Sequence, residues 1–154
     1  MKLVAMRHGK AEAEGHGADK ARKLTEQGRA DAASVGRQLV ESGNHPSVVM
    51  VSSAVRTRQT FDALPPELSS GANVRMLDEL YNVDLPGLLA LIAREDTVMV
   101  IGHNPTISAL VAFLVGPENL PTPSMKPSDA AVIEAEQIEA SKGQLLAYVR
   151  SLRD

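Results

Sequence analysis

Three short apolar runs punctuate the chain, at residues 2–6, 48–51 and 98–101, built mainly from Val, Met, Ile, Leu and Ala. Runs of this length without alternation predict strands buried on both faces. Between them the period lengthens. Ala32, Val35, Leu39 and Val40 fall at i, i+3, i+7 and i+8, one face of a helix. Thr25 is placed to cap that helix, Glu26 sits favourably in its first turn, and Gly43 stops it. Ser53 is expected to cap a second helix running to about residue 64, where Pro65 and Pro66 end it. Leu88, Leu91 and Ile92 mark a third helix. Asn104 as cap and Pro105 at the first helical position start a fourth, with Ile107, Leu110, Val111 and Leu114 as its apolar face.

The remaining segments fill in the order. Residues 9–23, with Gly9, Gly15 and Gly17 among several charges, read as a loop, and residues 74–77 as a short strand. Residues 116–127 carry four prolines and read as another loop. Residues 130–135 and 145–149 read as two strands joined through Ser141, Lys142 and Gly143, an antiparallel pair at a sheet edge. Strands alternating with helices predict an α/β fold in a single domain spanning 1–154: a three-layer α/β/α sandwich with a mostly parallel central sheet and an antiparallel edge. In such sheets ligands gather beyond the carboxyl ends of the strands.

Composition narrows the chemistry. The 154 residues are 44% hydrophobic but only 3% aromatic, with no Trp, so the core is aliphatic and no base-stacking surface for single-stranded nucleic acid is expected. The net charge of −3 offers no global attraction to nucleic acid or anionic lipid, so any anion site must be local. The absence of Cys removes disulfides, thiolate metal sites and thiol nucleophiles. The N-terminal apolar run is too short for a signal peptide or a membrane span, which makes a cytoplasmic location the expectation. No HxxxH or HxH spacing, no P-loop and no GxGxxG fingerprint is present, so neither metal nor cofactor is expected. His16 and His45 read as exposed loop residues, Met76, Met99 and Met125 as core or loop fillers, and Arg150 and Arg153 as a solvated C-terminal surface.

The strand ends are where the charge collects. The first run leads into Arg7-His8-Gly9, the second into Ser52-Ser53 with Arg56 and Arg58 one turn on, and the third into Gly102-His103-Asn104. Two imidazoles and at least two guanidiniums thus meet at one sheet edge of an acidic protein. Two helix N-termini add partial positive charge there. Such a cluster suits a phosphate or another compact dianion, which arginine grips through planar paired donors. A neutral imidazole beside arginines that keep it unprotonated can also act as a nucleophile at phosphorus. Gly9 is expected to let the backbone approach the ligand closely. Each feature has a bland reading too: a structural histidine, a solvated arginine face, a tight turn with a helix cap.

Taken together, the residues resemble the histidine phosphatase superfamily, also called phosphoglycerate mutase-like, and within it the small SixA-type phosphohistidine phosphatases. The resemblance rests on Met6-Arg7-His8-Gly9-Lys10-Ala11, then Arg22-Lys23-Leu24-Thr25-Glu26-Gln27-Gly28-Arg29, then Ser52-Ser53-Ala54-Val55-Arg56-Thr57-Arg58-Gln59-Thr60. Leu77-Asp78-Glu79-Leu80-Tyr81 and Val100-Ile101-Gly102-His103-Asn104-Pro105 complete it, so the match runs in order from residue 3 to about 115. It implies a phosphoglycerate mutase-like fold and His8 as the phosphorylated nucleophile. Arg7, Arg56 and His103 would hold the phosphoryl oxygens, Arg22 would reach into the same pocket, and Glu79 would protonate the leaving group. Lys23 departs from the proline usual after that arginine. Lys10 stands where mutase-type members carry a polar or acidic residue, which counts against mutase activity.

The expected function is therefore a metal-independent phosphatase working through a phosphohistidine intermediate, with a phosphohistidine-bearing protein as substrate. The short connections leave little chain for a lid, so a shallow, open pocket is expected. The alternatives are a small-molecule phosphomonoesterase of the same superfamily and a non-catalytic phosphate-binding regulatory module.

Overall fold

The computed structural model describes residues 1–13 and 17–152. The expectations for His16 and Arg153 lie outside them. The chain forms β1 (Lys2–Arg7), α1 (Glu26–Glu41), β2 (Val48–Ser52), α2 (Val55–Ala63), β3 (Asn73–Leu77), α3 (Leu85–Ile92), β4 (Thr97–Gly102), α4 (Thr106–Val115), β5 (Ala130–Ala135) and β6 (Gly143–Val149). The six strands make one sheet in the order β3-β2-β4-β1-β5-β6. β3, β2, β4 and β1 run parallel, whereas β5 is antiparallel to β1 and β6 to β5. The mixed α/β fold with an antiparallel edge is the one the sequence predicts.

Two cores flank the sheet because strand side chains alternate faces. Leu3 and Ala5 of β1, Val48 and Met50 of β2, and Val98 and Val100 of β4 join α3 and α4 on one side. Val4 and Met6, Val49 and Val51, and Met99 and Ile101 face the opposite way, against Ala32, Val35 and Leu39 of α1. The burial on both faces explains why these strands lack polar alternation. Leu110 of α4 is fully buried. Truncating such a leucine to Ala typically costs about 2–5 kcal/mol, a large part of a domain's stability.

The helix starts differ in their capping. Thr25 accepts a hydrogen bond from the Gly28 amide through Oγ1, as the sequence predicts, and Gly43 turns the chain with φ +74°. Asp84 caps α3 in the same way. Ser53 does not cap α2: Ala54 holds the cap position and no side chain bonds to it. Nor does α4 start at Pro105. It begins one residue later; Asn104 Oδ1 still accepts from a first-turn amide, that of Ser108 (3.3 Å), and from the Ser108 hydroxyl (2.6 Å), while its Nδ2 donates to the Met125 carbonyl (3.0 Å). Asn104 thereby stitches the 103–106 turn to the loop before β5. Met99 and Met125 are core residues, whereas Met76 is exposed on the edge strand β3 and fills nothing.

Gly9 has a packing role. A Cβ there would lie 2.8 Å from the Gly28 carbonyl oxygen, and one on Gly28 would lie 2.3 Å from the Lys10 carbonyl oxygen. Two backbones touch at this point. The contact seats the first turn of α1 beneath the segment just past His8.

Candidate active site

The three central parallel strands end side by side. Arg7 pairs in register with Gly102, and the His8 amide donates to the Gly102 carbonyl (3.1 Å). The turn after His8 is held from both sides: the Gly9 amide donates to Thr60 Oγ1 (2.9 Å), and the Ser128 amide donates to the His8 carbonyl (3.0 Å). Beyond these ends lies a cavity of about 290 Å³ lined by Arg7, His8, Lys10, Ala11, Arg22, Arg56, His103, Asn104 and Pro127. Five of the six expected site residues are thus brought together. Glu79 is not among them; it is exposed on the 3-10 turn Asp78–Leu80 and does not line the cavity. Arg58 is exposed as well and takes no part in the convergence.

His8 Nδ1 lies 2.7 Å from the Gly9 carbonyl oxygen. A carbonyl only accepts, so Nδ1 carries the proton and Nε2 keeps its lone pair. Burial is the main reason its pKa falls to about 3; His103, Arg56 and Arg7 push the same way, and the Gly9 carbonyl opposes. His103 is lowered to about 4, again chiefly by burial and then by Arg56. The residue pattern alone ascribes neutral histidines to neighbouring arginines; desolvation is the larger cause. The two rings stand 5.3 Å apart between centroids.

His103 Nε2 lies 2.8 Å from the buried Ser52 hydroxyl, which also accepts from the Ala54 amide. In the tautomer whose Nε2 accepts from the Ser52 hydroxyl, His103 Nδ1 carries the N–H. Among the described residues, buried His103 Nδ1, Arg7 Nε and Arg56 Nε have no hydrogen-bond partner. Buried donors without partners cost free energy unless a ligand takes them. All three belong to residues that line the cavity.

The guanidiniums are fixed from behind. Arg7 Nη1 donates to the Met125 carbonyl (2.8 Å), and buried Asp129 opposes the drop in its pKa that burial causes. Asp129 in turn accepts from the Tyr148 hydroxyl (2.6 Å) and the Lys126 amide (3.1 Å). Arg150 lies over the Tyr148 ring, half-exposed. Arg56, itself buried, donates through Nη1 to the Asp19 carbonyl (2.9 Å) and through Nη2 to the Asp19 carboxylate (3.0 Å). Sequence reasoning missed Asp19 and Asp129. The only local signal for Asp19 was its position three residues before Arg22, to which it pairs at 3.0 Å.

The arrangement's chemical capacity lies in its inventory: a lone pair on a neutral imidazole, three guanidiniums and a second imidazole lining the same cavity, and local positive charge. No helix among the described residues is long and apolar enough to cross a membrane. No three His, Asp or Glu side chains among them cluster as metal ligands.

Comparison with known proteins agrees with this geometry. The model of the histidine phosphatase superfamily (branch 1) matches residues 3–91. The putative phosphohistidine phosphatase SixA from Agrobacterium tumefaciens has a similar structure, at a TM-score of 0.83 and 28% identity over 96% of each chain. The putative phosphohistidine phosphatase SixA from Nakamurella multipartitia gives 0.76 and 29%, covering 99% of this chain and 96% of that one. The protein histidine phosphatase SixA complexed with tungstate gives 0.77 and 25%, over 97% of each chain. An uncharacterized chloroplastic protein of Arabidopsis thaliana is 27% identical over 130 residues; the match takes in 76% of this chain and spans 58% of the length of that relative. The chain belongs to the histidine phosphatase superfamily, as a small SixA-type member.

Proposed function

We propose that the protein is a metal-independent phosphohistidine phosphatase that passes the phosphoryl group through its own His8. The observation that carries this reading is the His8 hydrogen bond to the Gly9 carbonyl, which leaves Nε2 unprotonated in a cavity lined by Arg7, Arg22, Arg56 and His103. Nε2 attacks phosphorus and forms a P–N bond while the bond to the leaving group breaks. The leaving group, the imidazole of a substrate histidine, takes up a proton as it departs. Water then attacks phosphorus, the P–Nε2 bond breaks, and inorganic phosphate leaves with His8 neutral again.

Arg7, Arg56, Arg22 and His103 supply the positive charge that stabilises the phosphoryl oxygens in both steps, which is why no metal enters the proposal. Glu79, exposed outside the cavity, is proposed as a proton donor only for ester leaving groups, whose alkoxides need one more than imidazole does. A protein substrate suits a cavity whose lining grips the phosphoryl group while the short connections leave little chain for a lid. Two of the similar structures, at 28% and 25% identity, are named as a putative phosphohistidine phosphatase and a protein histidine phosphatase, which supports that choice.

The test is kcat/KM in excess EDTA on a phosphohistidine-carrying phosphotransfer domain beside a panel of phosphate esters. The proposal expects turnover unaffected by chelation and fastest on the phosphoprotein. One small ester hydrolysed orders of magnitude faster would transfer the assignment to a small-molecule phosphomonoesterase. Phosphate binding without any turnover would make the protein a regulatory module.

A further inference from the structure

We propose that Asp19 is a positioning residue that sets two of the three arginines of the phosphate cavity, Arg22 and Arg56, and ties them to His103 through Tyr81. The proposal deepens the phosphatase reading and rests on it for the role of the arginines. Asp19 lies on the 3-10 turn Asp19–Ala21, far in sequence from the strand ends, yet it meets the cavity's groups at four points. Its Oδ1 accepts from Arg22 Nε (3.0 Å). Its Oδ2 accepts from Arg56 Nη2 (3.0 Å) and from the Tyr81 hydroxyl (2.5 Å). Its backbone carbonyl accepts from Arg56 Nη1 (2.9 Å).

The geometry of that grip decides what it does. Both contacts to Arg56 fall on its terminal nitrogens, one on each. The Nε edge is left without a partner, in a buried side chain that lines the cavity. A guanidinium is a rigid planar fork, so fixing its two terminal nitrogens fixes the direction of Nε–H. Tyr81 extends the arrangement. Its ring packs edge-on against the His103 ring at 5.6 Å, with the Arg56 guanidinium 5.9 Å from its centroid. A single carboxylate therefore connects Arg22, Arg56 and, through Tyr81, His103. Its pKa is held down at about 2, chiefly by the Tyr81 hydrogen bond and then by Arg56, so the charge is present at any working pH.

The same charge has an opposite effect on binding. A carboxylate beside the cavity repels a phosphate dianion in the ground state. Asp19 thus favours correct aim of the donors over raw affinity for phosphate. This separates positioning from two other roles. A carboxylate that merely blocked the cavity would raise kcat/KM when removed. One that merely held the fold would lower stability, affinity and rate together.

Asp19→Asn is the diagnostic change. Both carboxylate oxygens accept from donors, and an amide must turn its NH₂ towards at least one of them. The experiment pairs steady-state kinetics on p-nitrophenyl phosphate with the binding of inorganic phosphate by calorimetry and with ¹⁵N NMR of the Arg56 Nε–H group. The variant should lose about ten-fold or more in kcat, the scale seen when an outer hydrogen-bond partner of a functional group is removed. Its affinity for inorganic phosphate should stay the same or tighten. The Arg56 Nε–H signal, protected in the native protein, should broaden or exchange rapidly with water.

Tyr81→Phe, which leaves the carboxylate and both arginines in place, should show the same split more weakly, and it decides the matter if Asp19→Asn fails to fold. Unchanged or raised kcat in both variants overturns the proposal, as does an Arg56 Nε–H signal indifferent to them. The NMR readout needs no turnover. A native protein that hydrolyses nothing yet loses Arg56 protection in Asp19→Asn would refute the phosphatase reading and leave the positioning role standing.

Discussion

The floor and the rim of the cavity are built on different principles. The floor consists of strand ends and the turns that leave them: Arg7 and His8 after β1, Ser52 to Arg56 after β2, and Gly102 and His103 after β4. Its backbone is hydrogen-bonded on both sides and it rests on two apolar cores. The rim consists of the 19–22 and 78–81 segments, half-buried or exposed apart from buried Leu80, which meet the floor through charged and polar contacts. The floor places the nucleophile and the buried donors with a precision that only packing gives. The rim adjusts their direction at little cost in core stability. Reactivity should therefore be lost in steps as substitutions move outward.

The largest loss should come at the nucleophile. His8→Ala should abolish turnover while the thermal midpoint stays near that of the native protein, because the side chain ends in a cavity and not in a core. Next come the fixed guanidiniums. Arg7→Ala or Arg56→Ala should each lower kcat/KM by on the order of 10²-fold or more, the range found for loss of one preorganised donor to a developing oxyanion. A ten-fold or smaller effect at either would erase the distinction between floor and rim. One layer further out, Ser52→Ala leaves the His103 tautomer unset. It should cost about ten-fold, comparable to other outer partners of functional histidines. The smallest effect belongs to the rim: Glu79→Gln should slow an alkyl phosphate several-fold and leave a phosphohistidine substrate unchanged. Equal losses on both substrates would remove Glu79 from the chemistry.

Titration sharpens the same contrast. His8 and His103 are lowered to about 3 and about 4 by burial, whereas unfolded histidine titrates near 6.5. Between roughly pH 6.5 and those values the unfolded chain binds more protons than the native one, so stability rises with pH across that window and is lost on acidification. Denaturant unfolding from pH 4 to 7 should show this slope, and His8→Ala should reduce it. NMR titration should find both cavity imidazoles neutral at pH 5.5; a His8 midpoint near 6.5 would contradict the buried floor.

The floor is largely legible in the sequence and the rim is not. Unbroken runs such as residues 48–51 and 98–101 reveal buried parallel strands, and the residues just past such strands must face one edge of the sheet. Arg7, His8, Arg56 and His103 are found that way. Arg58 is wrongly grouped with Arg56 because two residues along a helix turn a side chain to the opposite face. Ser53 looks like a cap because its type favours that position, but Ala54 takes it at α2; Asn104 does accept from a first-turn amide of α4, one residue further from the helix start than its type suggests. Asp19 leaves only its place three residues before Arg22 as a local sign: its other partners Arg56 and Tyr81 lie 37 and 62 residues away, in segments that come together only in the folded chain.

The most direct test of the central claim is a rapid-quench experiment with ³²P-labelled substrate and subsequent peptide mapping. The account predicts one phosphoryl group per chain, stable in alkali and lost in acid, on the peptide containing His8, and no label in His8→Ala. Label on another residue, or label that persists in His8→Ala, would contradict it.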